Sequence, residues 1–154
     1  MSALALALHV LAAIVWVGGM FFAFLAVRPA LAELDTKHRA RVWAAIFRRF
    51  FPWVWACIVV LLVSGFYLVF ITFDGFATAP PFVHTMMGLG IVMMALFAYV
   101  FFVPYHQLKT AVQTGSEPLA IHAMVRIRLL IAVDLTLGIL VVLVAMFFGY
   151  FATN

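Results

Sequence analysis

Charge is scarce in this sequence. Only 9% of residues are Asp, Glu, Lys or Arg, against 69% apolar, and the mean hydropathy is +1.26. A water-soluble domain of this length needs a polar surface that these residues cannot cover, so lipid is the expected solvent. Cysteine is nearly absent too. Cys57 alone excludes an intramolecular disulfide and any multi-cysteine zinc or iron–sulfur cage. Also missing are a glycine-rich phosphate loop, a nucleophile–base arrangement, a metalloprotease motif, internal repeats and low-complexity tracts. Hydrolytic chemistry is therefore not expected.

What is present is long and apolar. Four stretches, about residues 3–27, 50–73, 82–103 and 127–151, can each supply the roughly 20 residues that a membrane crossing needs. They lack the alternation of a membrane barrel, and a helix satisfies its own backbone in lipid. The sequence predicts an all-α, integral membrane four-helix bundle, one domain over residues 1–154. The first stretch resembles a secretory leader in having Ala30-Leu31-Ala32. It has no basic start, and its apolar run exceeds the typical 7–15 residues or so, so it reads as a retained span.

The few basic residues are distributed unevenly. All nine Lys and Arg fall in two connectors or beside them: Arg28, Lys37, Arg39, Arg41, Arg48 and Arg49, then Lys109, Arg126 and Arg128. The net charge of +4 is thus an orientation signal rather than a nucleic-acid patch. It predicts both termini outside, in a bacterial inner membrane. The segment between Arg28 and Phe50 reads as a solvated basic connector, with helical extension beyond the bilayer or a course along its surface as the alternatives.

Histidine inside such runs needs a reason. His9 lies about 9 Å into the first span, and His84 sits in the first turn of the third, from the same face of the membrane. His9 shares a helical stripe with Ala13, Trp16, Met20 and Val27; His84 shares one with Gly88, Ile91, Ala95, Ala98 and Phe102. Each histidine alone is also explained as a helix-end residue bonded to a carbonyl. Two at matched depth on different helices point to shared iron ligation: haem b between His9 and His84, with Gly88 leaving room for the ring and Trp16 near it. Gly18, Gly19, Gly88 and Gly90 also permit close helix approach.

The stretch LHVLAAIVWVGGMFF resembles the first helix of the copper-resistance protein D (CopD) family, with its Leu-His and Trp-x-Gly-Gly pattern. RRFFPWVWACIVVLLVSGFYLV is similar to that family's second helix, and RIRLLIAVDLTLGILVVLVA to its closing helix. The related HemJ-type protoporphyrinogen oxidases share a similar first helix and bind haem b. Their Pro-Arg at its end stands here in reverse order, as Arg28-Pro29. The resemblance implies a small membrane protein that carries b-type haem or acts in copper handling.

Other polar residues extend the reading. Met20, Met86, Met87, Met93 and Met94 are soft donors suited to Cu(I), although the recurrence at seven of Met86-Met87 and Met93-Met94 also suits a packed face. Asp134 is expected to pair with Arg49 or Arg48, with proton relay as the alternative. His106 with His122, or with His38, offers a second haem site; wetted helix-end histidines are the plainer account. The function expected is one-electron transfer by a haem-dependent oxidoreductase, with quinone or a small oxidant at the outer surface. A copper transporter and a non-redox assembly subunit are the rivals. Electron donor, acceptor and oligomeric state stay open.

Overall fold

The computed structural model describes the backbone of residues 2–153 and the side chains of residues 2–148. Helix α1 covers Ser2–Phe22 and runs through a π-helical turn, Ala23–Val27, into the single turn α2, Arg28–Ala30. Helix α3 covers Thr36–Phe73, α4 Pro81–Phe102, α5 Pro104–Thr114 and α6 Glu117–Thr153. Four helical stretches, Ser2–Ala30, Thr36–Phe73, Pro81–Thr114 and Glu117–Phe148, are long and apolar enough to cross a membrane. The all-α, four-span architecture is the one the apolar runs predict.

The basic connector is where the expected boundaries shift. It is helical: α3 starts at Thr36, well before residue 50, and α6 starts at Glu117, well before residue 127. Asp35 turns the chain with ψ 158°, and its carbonyl accepts the first helical bond from the Arg39 N–H at 2.9 Å. The residues that follow are mostly Ala, Arg and other helix-compatible types, so the helix extends beyond the apolar span. It continues through Pro52. At the far end Asp74 (φ 61°) and Gly75 (φ 119°) stop α3. The α4–α5 break falls at Val103 because a following proline disfavours helical backbone there.

Helix α1 lies along α3, and α4 and α5 lie along α6. Apolar burial does not drive association between helices in lipid, so close fit and side-chain interlocking must do it. The face Trp43, Phe47, Phe51, Trp55 supplies the interlock. Trp43 stacks on Phe47, and Phe47 on Phe51, each at 5.0 Å between ring centres. Phe51 meets Tyr105 at 4.9 Å and Phe97 at 5.3 Å edge-on, joining α3 to α5 and α4. Each such pair is worth about 0.5–1.5 kcal/mol beyond contact area. Of the four glycines expected at close approaches, only Gly19 is one: a Cβ there would lie 2.3 Å from Phe50 Cζ, whereas Gly18, Gly88 and Gly90 face open space. Another tight crossing is at Gly138, whose Cβ would come within 2.8 Å of Val17 Cγ2.

Candidate functional site

His9 is half-buried where α1 crosses α3, on the same face as buried Ala12, Trp16 and Met20. Its Nδ1 lies 2.8 Å from Ser64 Oγ, and Ser64 Oγ lies 2.5 Å from the Val60 carbonyl. The hydroxyl has one hydrogen, and its nearest acceptor is the Val60 carbonyl, with the Leu61 carbonyl at 3.5 Å, which assigns Nδ1–H as the donor in the first bond. With the proton assigned to Nδ1 on that ground, Nε2 of a neutral imidazole carries the lone pair. An orienting bond on one ring nitrogen and a lone pair on the other is the arrangement of a metal-binding histidine. Gly65 completes the seat, because a Cβ there would meet His9 Cε1 at 3.2 Å. Ser64 and Gly65 were legible only as part of a family-like pattern. The signal for their role is a hydroxyl beside a small residue inside an apolar run, opposite a histidine.

His84 occupies the first turn of α4 and is exposed. Its Nδ1 lies 3.3 Å from the Pro80 carbonyl, and its ring meets Phe76 edge-on at 6.4 Å. The packed face of α4 is Met93, Phe97 and Val100. His84 precedes Met93 by two and a half helical turns, so it lies on the opposite face. The stripe expected to hold a ring inside the bundle, with Gly88, Ile91 and Ala95, is the exposed one. The bulky stripe packs instead because it meets the α3 aromatic ladder. No hydrogen bond or ring contact joins His9 to His84 among the described residues.

The inner histidines are not joined either. His106 on α5 and His122 on α6 are exposed, and no hydrogen bond or ring contact joins them among the described residues; His38 donates to Asp35 at 2.5 Å. No group of three or more His, Cys, Asp or Glu side chains is gathered for a metal ion among the described residues. Of the methionines, Met20 and Met93 are buried packing residues, with Met93 against Gly138. Met86 is half-buried and Met87 exposed, both near the His84 end of α4.

The expected Asp134 ion pair is not formed. Asp134 is 4% exposed, whereas Arg48 and Arg49 are on the exposed side of α3. Phe50 and Phe51 stand beside Asp134 where a guanidinium was expected, and the long arginine side chains reach outward instead. Asp134 Oδ1 has no hydrogen-bond partner in the protein, and neither has Trp16 Nε1. Both residues line one cavity of about 20 Å³, which is room for a single water. An orphaned donor and an orphaned acceptor around one small cavity had no signal in helical periodicity, since Trp16 reads there as an ordinary core residue.

A family model described as Copper resistance protein D matches residues 44–148, more than half of the chain. Ser64, Asp134 and the aromatic ladder from Phe47 to Trp55 lie inside the matched region, and His9 precedes it. No curated protein and no solved structure matches the chain. With four membrane-length helices and this match, the chain is an integral membrane protein that belongs to the copper-resistance protein D family.

Proposed function

We propose that the protein handles copper at the membrane, with His9 Nε2 as a ligand to the ion and both chain termini on the outer side. The observation that carries this reading is the hydrogen-bond chain from His9 Nδ1 through Ser64 Oγ to the Val60 carbonyl, which leaves a neutral nitrogen donor in an apolar setting. Copper is cargo here. Imidazole suits it, and Met86 and Met87, on the same end of the bundle, are thioethers that suit Cu(I). The family description supports copper over other metals. A competition titration of the purified protein with Cu(I) and a chelator tests it. His9→Ala should weaken binding more than tenfold, and Ser64→Ala by about 10–100-fold, the usual cost of losing an orienting partner. Unchanged affinity in His9→Ala would refute the reading.

A second reading rests on His84. Its Nδ1 is turned to the Pro80 carbonyl, so its Nε2 is free as well. Both histidines therefore have the donor chemistry of haem b ligands, and an electron-transfer role with quinone or a small oxidant follows if haem is bound. His9 would hold such a group through Nε2, and His84 would reach it only from the exposed side of α4. A visible spectrum of the purified protein separates the readings. Sharp reduced α and Soret bands that change in His9→Ala and in His84→Ala favour haem, and a colourless protein that takes up Cu(I) favours copper.

A further inference from the structure

At the basic end of the bundle, three arginines from three helices converge on one cavity of about 280 Å³: Arg28 of α2, Arg39 of α3 and Arg128 of α6. Phe24 and Trp43 form part of its wall. None of its lining residues is acidic, and none of the three arginines has a carboxylate partner among the described residues. Arg28 is held over the Phe24 ring at 5.1 Å, so its guanidinium is oriented without an anion. The chain reaches Arg28 through the π-helical turn Ala23–Val27, a rare distortion that recurs at functional sites. Like charges brought together beside apolar walls repel one another, and a bound anion offsets that cost.

We propose that this cavity binds the phosphate of an anionic phospholipid. Guanidinium groups match phosphate oxygens in geometry and charge, and basic pockets between membrane helices take such headgroups. The cavity suits a lipid rather than a free anion because its flank is apolar. On its membrane side it is lined by Phe24, one turn before Arg28, and by Ile131 of α6, one turn farther into the apolar run than Arg128, which gives acyl chains an apolar surface continuous with the headgroup site. The site is separate from His9 and stands whether or not metal binds there.

The test places the full chain in nanodiscs of phosphatidylcholine, of phosphatidylcholine with phosphatidylglycerol, and of phosphatidylcholine with inorganic phosphate in the buffer. Thermal unfolding and native mass spectrometry are read in each. Phosphatidylglycerol should raise the unfolding temperature and leave lipid bound after detergent extraction. Arg39→Gln and Arg128→Gln should each lose most of both effects. Arg41→Gln, an exposed arginine that does not line the cavity, should keep them. Retention of both effects in Arg39→Gln and Arg128→Gln overturns the proposal, as does equal loss in Arg41→Gln. Stabilisation by inorganic phosphate with none from phosphatidylglycerol also overturns it in favour of a free-phosphate site. Should one variant not fold, the lipid retained by the other decides.

Discussion

Two polar sites lie inside one bundle of apolar helices and are built in opposite ways. At the α1–α3 crossing, His9 and Ser64 satisfy one another and the backbone, and one nitrogen lone pair is left free. Deeper in the bundle, Trp16 and Asp134 face a shared small cavity with a donor and an acceptor unpaired. The first arrangement fixes a ring for use; the second holds groups whose hydrogen bonds the protein does not itself complete. A buried polar residue in lipid is therefore not one kind of signal, because its partners decide what it can do.

The difference should appear in stability. Gly65→Leu breaks the first site most severely, since any Cβ already crowds His9 Cε1. It should cost about 1–3 kcal/mol in thermal unfolding, and the His9–Ser64 bond with it. Ser64→Ala removes the acceptor without crowding and should cost about 1 kcal/mol, the usual worth of an interhelical hydrogen bond in a membrane protein. Asp134→Asn, in the second site, should go the other way or stay neutral, within about 1 kcal/mol, because no ion pair is lost. Had Arg48 or Arg49 been its partner, the same variant would have cost about 3–5 kcal/mol. Thermal denaturation of the three variants in one detergent orders these effects.

The smallest effect lies outside the membrane and checks that the contrast belongs to its interior. The hydrogen bond from His38 holds the exposed Asp35 carboxyl below its ordinary range. A depressed carboxylate contributes stability above its unfolded-state value, and the contribution is lost as pH falls through the lower folded-state value. The start of α3 should therefore loosen slightly in acid. In Asp35→Asn that part of the pH dependence, followed by amide hydrogen exchange at residues 36–40, should vanish.

The sequence carried the spans because an apolar run of membrane length has few other solutions, and it carried His9 because an ionisable group in such a run stands out. It did not carry the facing of α4. The stripes through His84 and through Met93 are both compatible with a helix, and only the aromatic ladder on α3 selects the second. Nor did it carry the fate of Arg48 and Arg49. Proximity in depth to Asp134 suggested a pair, whereas the radial direction of each side chain depends on Phe50 and Phe51. The convergence of Arg28, Arg39 and Arg128 needed the fold as well, because the residues are distant in sequence and the π-helical turn has no marker in Ala23–Val27.

The central claim is that His9 presents a free Nε2 to a metal ion. Nitrogen-15 NMR of protein labelled at histidine, with His9 assigned by comparison with His9→Ala, tests it most directly. Without metal, His9 should show a protonated Nδ1 and an unprotonated Nε2, and Cu(I) should shift the Nε2 resonance while leaving Nδ1 bonded to its proton. In Ser64→Ala the tautomer preference should relax toward a mixture. A His9 ring protonated at Nε2, or a spectrum that Cu(I) leaves unchanged at His9, would contradict the account.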